Sequence, residues 1–281
     1  MPDTQAFAKT CAFVLNLMRS MSCWMLFTSR PPAQGPSGLR HGLWALLWST
    51  ALVGCQVGPP HVPVTLSGRD LGQMLQERAS VLVTLPKNEA DQLVRSMSLK
   101  SATDLSLSSA TPVSPDGFFL TSAHSVEPLR EGDVSVVFYT PSSNPARGEV
   151  KLIWKDTALD LALIKAPFPT PHYYRWSPRG RSLTAGTVVI HGGISTGPEG
   201  KQGVLLHDLS GAGRQRPARH SLRLKPGDSG GPLLLTSGEL VGINHSVGYK
   251  GIMDTTFFTE SQCVRPDPSR ITALISNSLQ P

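Results

Sequence analysis

Cysteine is scarce in this chain and badly placed for either of its usual structural uses. Only Cys11, Cys23, Cys55 and Cys263 are present. None forms a Cys-x-x-Cys pair or stands at metal-ligand spacing, so a zinc site is not expected. Three of the four fall in or beside the N-terminal leader, which argues against a disulfide framework. Charge is sparse too, at 16% of residues, and the formal net charge of +6 is not gathered into a patch. Lys9, Arg19, Arg30 and Arg40 against Asp3 place half of that excess in the first 54 residues. The remainder lacks the electrostatic footprint of a nucleic-acid binder, so nucleic acid is not an expected partner. Internal repeats, heptads and low-complexity tracts are absent as well.

What the chain has in quantity is turn chemistry, with 26 glycines and 24 prolines among 281 residues. Short apolar stretches alternate with these turns from about residue 78 onward. Val81–Leu85, Gly117–Thr121, Val134–Tyr139 and Leu161–Ile164 form one group of expected strands. Thr187–Ile190, Gly203–Leu206, Pro232–Leu235 and Leu240–Ile243 form another. A Pro-rich break over 167–182 separates the groups, and this pattern predicts an all-β barrel or sandwich. Ile271, Leu274 and Ile275 at helical spacing predict a short amphipathic C-terminal helix over Ser269–Ser278, and Leu71–Ala79 is a second candidate helix.

The N-terminal region reads as an export signal. Arg40 and His41 precede the apolar run Gly42–Val53, and Gly54-Cys55 follows. That run falls well short of the ~20 residues a helix needs to span a bilayer. Leu52-Val53-Gly54-Cys55 resembles the lipobox of bacterial lipoproteins, which implies lipid attachment at Cys55 and a membrane as partner. Gln56 after the cysteine implies the outer membrane, facing the periplasm; without lipidation the protein would be secreted. A start at Met21 or Met25 would give a more ordinary signal length. The expected organisation is a leader over 1–54, a tether over 55–77 and a folded domain over 78–281.

The strongest chemical signal is Gly227-Asp-Ser-Gly-Gly-Pro232. A nucleophilic serine needs a tight turn that thrusts its hydroxyl outward and frees backbone N–H groups for a developing oxyanion, and glycines permit both. Thr121-Ser-Ala-His124 ends one apolar strand, and Asp160 heads another, Leu161–Ile164. A carboxylate placed there is poorly solvated and needs a donor such as imidazole. The order His124, Asp160, Ser229 excludes the α/β-hydrolase elbow, whose chain order is Ser, Asp or Glu, His.

These motifs resemble the trypsin-like serine proteases, in particular the bacterial Deg/HtrA-like and glutamyl-endopeptidase-like branch. Thr121-Ser-Ala-His124, Asp160-Leu-Ala-Leu-Ile164, Gly227–Pro232 and Gly238-Glu-Leu-Val-Gly-Ile-Asn244 carry the resemblance, in patches over roughly 80–260. The implied fold is all-β, with two six-stranded antiparallel barrels at about 78–166 and 183–260 and a short C-terminal helix. The implied activity is peptide hydrolysis by His124 as base, Asp160 as its partner and Ser229 as nucleophile, with the Gly227 and Ser229 N–H groups as oxyanion hole. The implied substrate is a polypeptide, with no metal or organic cofactor. Arg223, Lys225, Asn244, His245 and Ser246 are the candidates for substrate binding, with His245 a possible pocket wall for an acidic residue. His61, His172, His191, His207 and His220 lack ligand spacing, so solvated or core roles are expected of them. Departures are also present: Ser108-Ser-Ala-Thr-Pro112 stands where Deg-like chains carry Gly-Ser-Gly, and no peptide-binding module is expected after Phe258. Two alternatives stay open on these residues, a catalytically silent trypsin-fold lipoprotein acting as a binding or scaffold module, and an esterase on the same triad.

Overall fold

The strand β1 (Ser80–Pro86) pairs with β2 (Ser106–Ser109) on one edge and with β5 (Asp133–Tyr139) on the other, and β5 carries β6 (Ala146–Glu149). A second sheet runs from β3 (Thr111–Pro112) through β4 (Phe118–Thr121) and β8 (Leu161–Lys165) to β7 (Lys151–Asp156). Only Ala110 separates β2 from β3 and only Val150 separates β6 from β7. Each of these is one strand that switches sheets, so the two sheets join at their corners into a six-stranded antiparallel barrel.

This computed structural model describes residues 65–96, 106–128, 131–141, 145–178, 181–196, 199–209, 217–252 and 255–280. The leader, the apolar run 42–53 and Cys55 lie outside the described residues.

The second barrel contains β9 (Val188–His191), β10 (Lys201–Val204), β11 (Ala218–His220), β12 (Pro232–Leu235), β13 (Leu240–Ile252) and β14 (Thr255–Val264). Their sheet order is β10-β9-β12-β13-β14-β11. An antiparallel bridge between Leu205 and His220 closes it, because the Leu206 N–H donates to the Arg219 carbonyl at 2.8 Å and the Ser221 N–H to the Val204 carbonyl at 3.0 Å. The chain is therefore mostly β, a trypsin-like double barrel.

Both faces of the inner strands are buried, which is why they read as unbroken apolar runs rather than alternating ones. Phe119 and Ile164 point into the first barrel with Leu82, Val137 and Tyr139. Their neighbours Phe118, Leu120, Leu161 and Leu163 point the other way, into a core shared with Ile190, Leu234, Leu240 and Ile243 of the second barrel. Val189, Leu233, Leu235 and Val241 fill the second barrel with Leu183, Leu205 and Cys263. The seam between barrels is thus an apolar layer built from alternate residues of the same strands, and it fixes how β4, β8 and β12 present their ends.

Among the described residues three α-helices decorate the barrels. The helix α1 (Gly68–Glu77) is capped by Ser67, whose hydroxyl accepts from the Asp70 N–H at 3.2 Å, and it buries Leu75 in the seam core. Residues 66–77, expected as part of a tether, pack with the folded domain, and the Leu66 N–H donates to the Thr236 carbonyl at 2.9 Å. The helix α2 (Lys87–Ser96) was not anticipated, because only Ala90 and Leu93 of its polar sequence are buried, and its role is to cover β1, β5 and β6. The helix α3 (Pro268–Leu279) begins with an Asp267 cap and Pro268, buries Ile271, and lies on β7. Among the described residues no helix is long and apolar enough to cross a membrane.

Candidate active site

His124 sits on a 3-10 turn, Ala123–Val126, directly after β4. Asp160 closes the turn Thr157–Asp160 just ahead of β8, which pairs with β4, so strand pairing alone brings the two residues to one end of the barrel. Asp160 is the only described residue other than glycine with positive φ, at 50°. Aspartate tolerates this left-handed conformation better than most residues, and here the carboxylate meets His124 on the turn after β4. One carboxylate oxygen accepts the His124 N–H at 3.0 Å and the other lies 2.7 Å from His124 Nδ1. This double contact orients the imidazole and assigns the proton to Nδ1, leaving Nε2 as an acceptor. Burial pushes the Asp160 carboxyl up, but hydrogen bonds from His124, with the His245 ring 3.7 Å away, outweigh it and hold the group far below the ordinary carboxylate range. His124 is raised, mainly by the same bond to Asp160.

Ser229 lies on the turn before β12, and this turn is sewn to the first barrel. The Ser109 N–H donates to the Ser229 carbonyl at 2.9 Å, the Ser109 hydroxyl to the Gly227 carbonyl at 2.8 Å, and the Thr111 hydroxyl to the Gly230 carbonyl at 2.8 Å. Gly230 has φ of 83°, and a Cβ there would sit 2.1 Å from the Ser109 carbonyl oxygen, so glycine is obligatory. Within the turn, the N–H groups of Asp228, Gly230 and Gly231 find carbonyl acceptors. Those of Gly227 and Ser229, the expected oxyanion pair, have no such acceptor among the described residues. The Ser229 hydroxyl donates to the His245 carbonyl at 3.4 Å rather than to His124.

Behind the turn lies a buried polar ladder that sequence reading missed. Asp228, His191, Asn244 and His220 are each 0% exposed. Asp228 accepts the Ser195 hydroxyl at 2.6 Å, the Ser195 N–H at 3.0 Å and the Lys225 N–H at 2.8 Å. His191 Nε2 stands 3.3 Å from the same carboxylate, off the hydrogen-bond line. The Asn244 amide donates to His191 Nδ1 at 2.8 Å and its oxygen accepts from His220 Nε2 at 2.9 Å. Burial pushes Asp228 up, yet contact with His191 and the bonds from Ser195 and Lys225 hold it down at about 2. Burial pushes His220 down to about 4, so it is neutral near pH 7 and its Nε2–H is the donor to Asn244. The one local signal for this ladder was His191 itself, a histidine ending the apolar strand Val188-Val-Ile-His191 ahead of two glycines.

The candidates for substrate binding are dispersed. Arg223 and Lys225 are exposed on the segment leading to the Ser229 turn. Asn244 is corrected: its side chain is sealed in the ladder and cannot meet a substrate. His245 Nδ1 stands 3.7 Å from a carboxylate oxygen of Asp160. Ser246 continues β13 opposite Gln262, after a register shift that begins at Asn244.

Two antiparallel barrels, with an imidazole–carboxylate pair at the strand ends of the first and a turn serine ahead of β12 in the second, have the architecture of the trypsin-fold class. Residues 108–243 match the family described as a trypsin-like peptidase domain, a span that includes His124, Asp160 and Ser229. A probable periplasmic serine endoprotease, DegP-like, of Pseudomonas savastanoi pv. phaseolicola (strain 1448A / Race 6) is 30% identical over 152 residues, covering 50% of this chain and 29% of the relative. Among solved structures, two of the HtrA-type protease AlgW with a tripeptide superpose with a TM-score of 0.52 at 18% identity, over 76% of this chain and 64% of theirs. Residues 108–243 are thus similar to a trypsin-like peptidase domain, and the chain spans less than a third of the length of the curated relative.

Proposed function

We propose that the protein is a serine endopeptidase of the bacterial cell envelope that hydrolyses polypeptides through Ser229, His124 and Asp160. The observation that carries this reading is the Asp160 carboxylate holding His124 by both its backbone N–H and its Nδ1. That arrangement leaves Nε2 free to take a proton from a serine, and an Asp160 carboxylate held well below the ordinary range remains charged to stabilise the imidazolium that results. In the first step, the Ser229 hydroxyl turns from the His245 carbonyl to His124 Nε2. Its oxygen attacks the peptide carbonyl carbon while the proton passes to His124. The tetrahedral oxyanion is held by the N–H groups of Gly227 and Ser229. His124 then gives its proton to the leaving amine, and water repeats the sequence on the acyl-enzyme.

The envelope location is supported by the DegP-like relative, which is described as periplasmic. Attachment by a lipid on Cys55, with the folded domain hung in the periplasm from the outer membrane, extends that reading through the Leu52–Cys55 motif. Labelling with a fluorophosphonate and cleavage of an unfolded protein, wild type beside Ser229→Ala, test the chemistry. Wild-type labelling and cleavage that both vanish in the variant support it, and a wild type that is neither labelled nor active overturns it. Incorporation of labelled fatty acid that persists in Cys55→Ala would sink the lipid anchor.

A further inference from the structure

Helix α1 meets the second barrel at glycines. A Cβ at Gly192 would lie 2.4 Å from Leu75 Cδ2, and one at Gly200 would lie 2.9 Å from Leu75 Cδ1. These glycines stand at the two ends of the connection from β9 to β10. Leu75 is buried, so its methyl groups are seated directly on that backbone. Met74 meets the turn from β12 to β13 in the same way, its Sδ 2.5 Å from where a Cβ of Gly238 would be. The connection under Leu75 is also the one that holds the Ser229 turn. Ser195 donates its N–H at 3.0 Å and its hydroxyl at 2.6 Å to the Asp228 carboxylate. The Ile194 N–H donates to the Ser109 hydroxyl at 3.1 Å, and that hydroxyl donates to the Gly227 carbonyl at 2.8 Å.

We infer that Leu75 is a positioning residue for the Ser229 turn: seated on Gly192 and Gly200, it sets Ile194 and Ser195 where they fix Gly227 and Asp228. The inference rests on the peptidase reading for its kinetic consequences only. Close packing leaves no slack between the leucine methyl groups and the two glycines, so the backbone from Gly192 onward cannot shift while α1 is docked. Truncating Leu75 opens a space on one side of that backbone, and the segment relaxes toward it. Ser195 and Ile194 then move away from the turn they support. An oxyanion site tolerates only about 0.5 Å of such movement, because its donors must meet a charge at one place. Residues that read in the sequence as a passive tether thus act on the proposed active site through one apolar side chain.

Variants of the full chain separate this role from one of packing alone. In Leu75→Ala, kcat on an unfolded protein substrate falls by about 10²-fold while KM holds. Ile271→Ala is the comparison: it truncates a buried side chain of the same seam core, on α3, which lies on β7. Its melt falls comparably and its kcat does not. Gly192→Ala alone sets a methyl group against Leu75 Cδ2 and lowers kcat. Combined with Leu75→Ala, that methyl group enters the vacated space, and kcat rises above that of either single variant. Equal losses of kcat in Leu75→Ala and Ile271→Ala, or losses that simply add in the double variant, overturn the inference. Should Leu75→Ala fail to fold, Leu75→Val carries the same comparison with a smaller loss. Amide hydrogen exchange removes turnover from the question, so an inactive wild type would reject the peptidase reading and still leave Leu75 tested. In Leu75→Ala the N–H groups of Ser195, Gly230 and Gly231, all hydrogen-bonded in the intact protein, exchange about tenfold faster, the effect of one weakened hydrogen bond. In Ile271→Ala they do not, and unchanged exchange at these three groups in Leu75→Ala rejects the inference.

Discussion

His124 with Asp160 and His191 with Asp228 are both imidazole–carboxylate pairs, yet the first is open to solvent and the second is sealed. The side chains of the first pair are 52% and 27% exposed, and those of the second 0% and 0%. The open pair comes from the first barrel, at the ends of β4 and β8, and its carboxylate grips the ring at 2.7 Å. The sealed pair belongs to the second barrel, where β9 meets the Ser229 turn, and its carboxylate is satisfied chiefly by Ser195 and Lys225. Exposure decides what each can do. A ring that must take and return protons needs access to a substrate, while a buried charge that never leaves its partners serves to hold a turn in one shape.

Breaking the open pair is expected to remove chemistry without removing the fold. Asp160→Asn should lower kcat by about 10⁴-fold, because the amide no longer fixes the tautomer that accepts the serine proton. Initial rates on an unfolded protein substrate measure this, and a thermal melt beside them should shift by only a few degrees. Breaking the sealed pair should reverse that ranking. Asp228→Asn removes a buried charge from the Ser195, Lys225 and His191 groups that face it, at a cost of about 3–5 kcal/mol in urea unfolding. A variant that unfolds like the wild type would show that the ladder contributes nothing to stability.

The two regions also differ in the sign of their pH response. His220 has its folded value at about 4 against an ordinary 6.5, so between those values the unfolded chain binds a proton that the native chain refuses. Its contribution to stability is complete above about pH 6.5 and declines as pH drops toward 4, by about 3 kcal/mol in all. His124 is shifted upward by Asp160, so its smaller contribution is complete below its ordinary 6.5 and is lost as pH rises through the folded value. Urea midpoints across this range should fall on the acid side, and His220→Gln should flatten that fall. The smallest expected effect is at the stitch between barrels: Ser109→Ala removes the hydroxyl bonds to the Gly227 carbonyl and the Ile194 N–H, for about 1 kcal/mol in thermal stability. No change in its melt would mean that the remaining bonds from Thr111 and the Ser109 N–H hold the turn unaided.

Much of the architecture was legible in the chain before any fold was seen. Strands flanked by Gly, Pro and Asp stood out where both faces are apolar, as at Val81–Leu85, Leu161–Ile164 and Pro232–Leu235. Strands with a solvated face were missed: β7 carries Lys151 and Lys155 on exposed positions, and β6 has only Gly148 buried. The helix α2 escaped for the same reason, since Ala90 and Leu93 are too few to make a pattern. At the site, motif and chain order pointed to His124, Asp160 and Ser229. The surroundings of the substrate-binding candidates were less legible, because a strand's alternation shows which residues share a face but not what that face meets. Asn244 and His245 are adjacent on β13 and point oppositely, one into the ladder and the other toward Asp160.

What the amino-acid sequence determined alone was the class of fold, from turn chemistry and apolar periodicity, and the residue types that acyl chemistry requires in their order along the chain. Tertiary structure alone decided the partners. His191 and Asp228 are separated by 37 positions and His245 and Asp160 by 85, so no local pattern links them. They meet only because β9, β12 and β13 are neighbours in one barrel and the seam core presses that barrel against the ends of β4 and β8. Burial then did the rest, since a carboxylate or imidazole removed from water must find a partner among whatever groups the packing brings within reach.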